Sequence, residues 1–436
     1  MLQSYKEALE WIHSRLRLGI KPGLTRMDWM LERLGNPEKE LKSIHVGGTN
    51  GKGSTVTYLR SILNEAGYKV GTFTSPYIEQ FNERISVDGK PIHDDEITEL
   101  TNIIKPLADE LEKTELGSPT EFEVITAMAL YYFAKVNPMD ITVIEVGLGG
   151  RFDSTNVIEP IASIITNVGM DHTQILGDTI SKIAFEKAGI IKKNTPIITC
   201  VKNEEALAVL KEIASEKHAE MIRIEKDFIV SGYRSLKEFE QFTYTSKIDE
   251  LKDLELSLLG KHQTENAAGA IAALEFLNSN GFIHIDKNKI RSGLKKAYWP
   301  GRMEIMQEHP TVLIDGAHNP EGVQAFANAI QQRYSDKKVK IVFSALKDKD
   351  LTEMFSTFNK LDVEMYLTEF DFPRAASAQE LMEQCNNPMA KADSNWEELL
   401  KKLISSLKDD EVLAITGSLY FISTIKPFLK GILKPK

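Results

Sequence analysis

Short apolar runs alternate with amphipathic stretches along most of this chain. Residues 43–46, 69–73, 141–146, 161–166 and 196–201 are compact and rich in Val, Ile and Thr, which predicts strands. Helical periodicity fills the intervals, at residues 54–66 and from 118 through 134. Ser118-Pro119-Thr120-Glu121 predicts that second helix's start, with Ser118 as cap, Pro119 in the first position and Glu121 closing a capping box. Such alternation is the pattern of a parallel α/β sheet. The texture changes after about Met221. Residues 222–259 carry short strand-like runs with polar breaks, so a small, partly antiparallel subregion is expected before a helix at 263–277. Tyr298-Trp299-Pro300-Gly301 reads as a linker. Beyond it the alternation restarts, with strands at 311–314, 339–343, 365–368 and 412–415 and a helix at 321–334. The expected fold class is α/β, with a mostly parallel first domain over 1–297 and a Rossmann-like second domain over 298–436.

Composition narrows the function classes. A chain of 436 residues with 42% hydrophobic and 27% charged positions fits a multidomain globular protein. The net charge of −10 argues against a nucleic-acid partner. Cys200 and Cys385 are the only cysteines, too few for a disulfide framework or a zinc site, so a cytoplasmic protein is expected. The first twelve residues pattern as an amphipathic helix with early acids, not as a signal peptide, and no apolar run approaches membrane-spanning length.

The chemistry concentrates in Ser43-Ile44-His45-Val46-Gly47-Gly48-Thr49-Asn50-Gly51-Lys52-Gly53-Ser54-Thr55. An apolar strand runs into a glycine-rich turn, which opens a helix. Glycines let backbone N–H groups approach phosphate oxygens, and the helix N-terminus favours the same anion. Lys52 is a mobile point charge for the terminal phosphates, and Ser54 or Thr55 offers a hydroxyl to Mg2+. A strict P-loop has Ser or Thr directly after the lysine; here Gly53 intervenes. Glu145 places a carboxylate in an apolar strand, costly unless it is paired or bound to a cation. Ser75-Pro76 and Asp171-His172 also fall where strands end, the edge at which open α/β sheets take ligands.

The loop Gly48-Thr49-Asn50-Gly51-Lys52-Gly53-Ser54 resembles that of the Mur ligase superfamily, and most closely the folylpolyglutamate synthase/dihydrofolate synthase family. Glu145-Val146-Gly147-Leu148-Gly149-Gly150-Arg151, followed by Asp153, Thr155 and Asn156, extends the resemblance. So do Asp171-His172 with Leu176-Gly177, Glu186-Lys187-Ala188-Gly189-Ile190, Asn266-Ala267-Ala268, Pro300-Gly301-Arg302 and Asp315-Gly316-Ala317-His318-Asn319-Pro320. The resemblance implies a Mur-type ATPase domain over 1–297 and a ligase domain over 298–436. Thr49, Asn50, Gly51, Lys52, Gly53, Ser54, Thr55, Asn266, Arg302 and Asp315 are then expected at ATP. Ser54 is expected on one of two Mg2+ ions, for which Mn2+ can substitute, with Ser75, Glu145, His172 and a carbamylated Lys187 at the other. Lys52, His172, Lys187 and His318 are the expected catalytic set, with His318 near the incoming amino acid. Thr120, Glu121, Phe122 and Arg151 are the expected folate contacts.

The implied activity is ATP-dependent addition of L-glutamate to the γ-carboxylate of a reduced folate, by a monomer acting on small molecules alone. One alternative is a bifunctional enzyme that also joins dihydropteroate to glutamate. Members that do so often carry an acid where this chain has Lys21-Pro22, so that second activity is expected to be weak. Cell-wall Mur ligases place a whole UDP-sugar domain ahead of the loop, for which the residues before Ser43 leave no room. A non-catalytic nucleotide switch would not need the second-metal set.

Overall fold

The computed structural model describes residues 1–19 and 21–433. Ile20, in the segment next to Lys21-Pro22, and the last three positions of the expected second domain lie outside the described residues. The chain divides into two compact units. The first comprises Met1–Ser231, Thr243–Leu254 and Glu265–Ala297; the second comprises Gly232–Phe242, Glu255–Thr264 and Tyr298–Lys436.

The first unit is built on an eight-stranded sheet. Across the sheet the strands run Lys90–Pro91, Ile85–Val87, Val70–Phe73, Ile141–Glu145, Ser43–Gly47, Ala162–Ile165, Ile197–Thr199 and Met221–Arg223. Ile85–Val87 pairs antiparallel with both of its neighbours; the remaining pairings are parallel. Ser43–Gly47 is central and fully buried, as expected of a parallel strand covered on both faces. From it the chain passes through the helix Lys52–Glu65 to Val70–Phe73, and Ile141–Glu145 later inserts between the two. The carboxyl ends of four strands therefore meet along one edge at a topological switch point.

Close packing holds the phosphate-loop helix in place. The helix Lys287–Lys296 lies against it, and a Cβ at Gly293 would stand 2.5 Å from the Ile62 Cα. The Ser61 hydroxyl donates to the Gly293 carbonyl at 2.7 Å across the same contact. His45 is wholly buried on the central strand. Thr155 donates its single hydroxyl proton to Asp153 at 2.5 Å, so it receives the Nε2–H of His45 at 2.9 Å. Burial, with a lesser contribution from the Lys192 charge, pushes the His45 imidazole down to about 3.

The strands Phe228–Ser235, Glu240–Ser246 and Glu250–Leu256 form a separate three-stranded sheet with successive strands adjacent, close to the small subregion expected. Met221–Arg223, expected at its start, instead extends the large parallel sheet beside Ile197–Thr199. The second unit contains a six-stranded sheet, in the order Glu304–Gln307, Thr311–Ile314, Glu411–Thr416, Lys338–Phe343, Val363–Leu367 and Lys391–Ala392. Only the first pair is antiparallel. Its core includes Phe326, Phe343, Phe355 and Phe358, packed edge to face.

The expected helix start at Ser118 is corrected. The helix runs Glu121–Tyr131, capped by Thr120, whose hydroxyl accepts the Glu123 N–H while the Glu123 carboxylate accepts the Thr120 N–H. Ser118 instead accepts a hydrogen bond from Arg15 at 2.6 Å. Both Thr120 and Glu123 fit the capping-box pattern, and the Arg15 contact, invisible to local sequence, decided between registers.

Two measurements check this packing. Gly293→Ala forces a methyl onto the Ile62 backbone and is expected to cost about 1–3 kcal/mol, read by urea unfolding; wild-type stability would contradict the close approach. A neutral buried His45 opposes protonation in the folded state, while the unfolded chain takes up the proton below the ordinary value of 6.5. Its contribution is complete above that pH and is lost as pH falls from 6.5 toward about 3. Unfolding free energy should fall in that window, with a slope about one proton shallower in His45→Asn.

Candidate active site

The phosphate loop is fixed by residues from the neighbouring strand end. The Asn167 side-chain oxygen accepts the N–H of Thr49 at 3.1 Å and of Asn50 at 2.7 Å. Thr166 donates its hydroxyl to the Asn50 carbonyl at 2.5 Å. Thr49 receives the Gly169 N–H on its hydroxyl at 3.0 Å. Lys52 folds back on the loop, its ammonium 3.1 Å from the Gly48 carbonyl and 3.2 Å from that of Thr49. The helix starts at Lys52, two residues before the expected Ser54. Its first-turn N–H groups, those of Lys52, Gly53 and Ser54, have no acceptor within the helix, which makes that end an anion site.

Gly51 has φ 83°, and a Cβ there would lie 2.3 Å from the Asn266 Oδ1. Asn266, far away in sequence, therefore packs directly on the loop. Sequence reasoning singled out Asn266 but missed Thr166 and Asn167 as loop-holding residues. Their only local signal was a polar pair directly after an apolar strand.

Glu145 is 4% exposed and pairs in register with Val46, so it stands beside the start of the loop. One of its carboxylate oxygens accepts the Ser75 N–H at 3.3 Å. The structure thus brings together Ser75, Glu145 and the phosphate-loop strand. The segment after Glu145 is locked by a buried acid. Asp153 accepts the Leu148 N–H at 2.8 Å on one oxygen and the Thr155 N–H and hydroxyl on the other. Burial raises its pKa, and these hydrogen bonds oppose the shift.

Lys187 is buried on the helix Ile180–Ala188. That helix meets the Gly149-Gly150-Arg151 turn without spacing: a Cβ at Gly150 would sit 2.8 Å from the Lys187 carbonyl. Arg151 adds a 2.7 Å ion pair to Glu186 and lies over the rings of Phe152 and Phe185. His172 has φ 50° and precedes the short helix Thr173–Leu176; its backbone N–H is held by the Asp171 side chain at 2.9 Å. Among the described residues no group of three or more His, Cys, Asp or Glu is poised for a metal. Ser75, Glu145, the Ser54 hydroxyl and the buried Thr55 Oγ1, which lacks a partner in the protein, are oxygen donors of the type Mg2+ takes. The donor chemistry fits Mg2+, with little fixed negative charge to hold it.

Phe122 reaches the same edge, since a Cβ at Gly147 would be 2.5 Å from its ring. Thr120 and Glu121 precede it at the helix start, and Glu121 lies 3.4 Å from the His13 ring. Arg26 ties this helix start to the segment around Lys21. It donates to Glu123 at 2.8 Å and to the Lys21 carbonyl at 2.9 Å, while the Lys21 ammonium donates to the Ser118 carbonyl at 3.0 Å.

In the second unit, Asp315 ends the strand Thr311–Ile314. Its two oxygens accept the N–H groups of Met303 and Ala317, each at 2.8 Å. Burial raises its pKa, against the lowering effect of the Arg302 charge. A Cβ at Gly316 would meet an Arg302 guanidinium nitrogen at 2.4 Å, so Arg302 lies over that turn. His318 holds the Gly316 carbonyl through Nδ1 at 2.8 Å. His262 is half-buried, and desolvation with help from the Arg302 charge lowers its pKa to about 4.

Comparison with known proteins agrees with this layout. The Mur ligase middle domain family matches residues 46–274, and the Mur ligase glutamate ligase domain family matches residues 301–419. The chain is 47% identical over 430 residues to a dihydrofolate synthase/folylpolyglutamate synthase of Bacillus subtilis, covering 99% of this chain and 100% of that one. It is 34% identical to a folylpolyglutamate synthase of Lacticaseibacillus casei, covering 98% and 99%. Among solved structures, an FPGS complex with AMPPCP and folate superposes with a TM-score of 0.86 at 33% identity, covering 99% and 100%. A Mycobacterium tuberculosis folylpolyglutamate synthase complexed with ADP superposes at 0.89 with 28% identity, covering 99% of each chain. The chain belongs to the dihydrofolate synthase/folylpolyglutamate synthase family of Mur ligases, and is an ATP-dependent ligase.

Proposed function

We propose that this protein joins L-glutamate to the γ-carboxylate of a reduced folate at the expense of ATP. The observation that carries the reading is the phosphate loop, Ser75 and Glu145 gathered along one sheet edge, with Phe122 beside them. Relatives named for this activity support the substrate class. A carboxylate is a poor electrophile. The γ-phosphoryl group passes to its oxygen and ADP leaves, giving an acyl phosphate. The glutamate amine then attacks the carbonyl carbon, the C–O bond to phosphate breaks, and the amine gives up a proton.

The chain's own residues position and neutralise. Lys52 leaves its loop carbonyls for the terminal phosphates, and Thr49 to Thr55 cradle them, with Asn266 shaping the loop. Arg302 meets the phosphates and Asp315 the nucleotide. Thr120, Glu121, Phe122 and Arg151 take the folate. His318 donates Nδ1–H to the Gly316 carbonyl, which fixes its ring, and it is the residue assigned to take the amine proton. Mg2+, with Mn2+ as substitute, would be held by Ser54 at one position and by Ser75, Glu145, His172 and Lys187 at the other. When bound it neutralises phosphate charge. Residues 1–297 serve as the ATPase domain and 298–436 as the ligase domain, in a cytoplasmic monomer.

A second reading has its own support. The relative at 47% identity carries the dihydrofolate synthase name as well, so dihydropteroate is a candidate substrate here. Against it stands Lys21, whose ammonium is committed to the Ser118 carbonyl where bifunctional members often carry an acid. Purified protein with ATP, glutamate and either a reduced folate or dihydropteroate decides. Glutamate-dependent ADP release with a product one glutamyl residue heavier is expected from the folate. Faster turnover of dihydropteroate would make the second activity the main one, and no ADP release from either would refute the ligase reading.

Two variants test the site. Asn167→Ala leaves the Thr49 and Asn50 amides without their side-chain acceptor, and ATP affinity by calorimetry should fall about 10–100-fold. Lys187 is expected to carry a carbamate, because Ser75, Glu145 and His172 supply one formal negative charge and a buried ammonium would repel the cation. Incubation with 13C-bicarbonate should give a carbamate carbon resonance that Lys187→Ala lacks. That variant should lose about 10–100-fold in activity, partly rescued by a small carboxylic acid. Active wild-type protein with no such resonance would refute the carbamate.

A further inference from the structure

Lys426 sits on the buried face of the helix Leu419–Ile432, among Phe421, Ile422, Ile425 and Leu429, and its side chain is fully buried. A lysine is almost never so placed unless it is paired. Its partner is Glu304, the first residue of the edge strand Glu304–Gln307, with 2.9 Å between the ammonium and the carboxylate. The same carboxylate accepts the Gly301 N–H at 2.7 Å on one oxygen and the Tyr298 hydroxyl at 2.7 Å on the other.

These contacts hold one side of the turn that carries Arg302. On its other side the Gly301 carbonyl accepts the Gly316 N–H at 2.8 Å, and the Met303 N–H goes to Asp315. The turn's backbone is unusual. Gly301 has φ 68° and Met303 has φ 44°, a left-handed conformation that a side-chain-bearing residue keeps only when its surroundings over-determine it. Replacing a buried ion pair by apolar groups is often neutral or stabilising, so stability alone does not explain a charged pair at this position.

We propose that the Lys426–Glu304 pair is a positioning device for Arg302: Glu304 clamps the Tyr298–Gly301 backbone, and Lys426 supplies the charge that lets the carboxylate sit there. Neither residue belongs to a sequence motif described above. The inference rests on the reading of Arg302 as a phosphate contact, and the experiment separates the two.

Lys426→Met, Glu304→Gln, their combination, Arg302→Ala and Arg302→Ala/Lys426→Met are compared by melting temperature and by kcat and KM for ATP. Lys426→Met alone leaves the Glu304 carboxylate without its cation and should lower both the melting temperature and kcat. The Lys426→Met/Glu304→Gln combination should regain melting temperature, yet keep kcat about 10–100-fold down with little change in KM. Adding Lys426→Met to Arg302→Ala should cost little more than Arg302→Ala alone, because both act through one group. Recovery of kcat together with melting temperature would overturn the proposal, as would losses that multiply in full. Wild-type turnover by Arg302→Ala would instead sink the reading of Arg302 itself.

Discussion

A backbone holds an anion only if some N–H groups are aimed outward while the rest of the turn is satisfied from within. The amide side chain of Asn167 resolves that conflict here. It takes the Thr49 and Asn50 N–H groups, and Thr166 takes the Asn50 carbonyl, so the turn is rigid before any nucleotide arrives. The helix can then begin at Lys52, and its unmatched first-turn N–H groups become the anion-facing set. With the helix starting at the lysine, the interposed Gly53 falls in that first turn and is buried.

Glycines elsewhere at this edge act through contact more than through backbone freedom. Gly147 leaves room for Phe122, Gly150 for the Lys187 carbonyl, and Gly189 for the Arg151 backbone, where a Cβ would come within 2.3 Å. The segment that follows Glu145 is therefore wedged between the Glu121–Tyr131 helix and the Ile180–Ala188 helix. Asp153 ties off its polar groups, and the chain Asp153–Thr155–His45 returns to the central strand beneath the loop. A displaced Glu145 would have to disturb all of these at once, since close-packed interiors transmit strain.

Much of this was legible in the sequence because parallel α/β sheets write themselves locally. Buried strands read as apolar runs, and their carboxyl ends carry the chemistry, so the sequence alone puts Ser75, Glu145 and His172 past strand ends. What escaped depends on partners distant in sequence. Asn167 looks like any polar residue after a strand until Thr49 and Asn50 are beside it. Thr120 caps the Glu121–Tyr131 helix, while Ser118 is bound to Arg15, about a hundred positions away. The antiparallel strands Ile85–Val87 and Glu304–Gln307 are too short for a periodicity signal. Met221–Arg223 joined the large sheet because a free parallel edge beside Ile197–Thr199 outweighed its polar context.

The motifs mix two roles, facing a ligand and bracing the backbone. Lys52 and Ser54 stand where a ligand arrives. Asp153 and Asp315 are buried acids whose oxygens accept the protein's own N–H and O–H groups, and in the proposed function Asp315 also meets the nucleotide. Burial raises both pKa values, against the lowering effect of these hydrogen bonds and, at Asp315, of the Arg302 charge. The same logic extends beyond the motifs. Glu304, with Lys426 behind it, accepts hydrogen bonds from Tyr298 and Gly301 much as Asp153 accepts them from Leu148 and Thr155. In each unit a carboxylate with several donors fixes the backbone next to a residue of the proposed site, Glu145 in one and Arg302 in the other. A site that works by positioning charge needs its supports to be stiff, and a carboxylate with several donors is among the stiffest a chain can build.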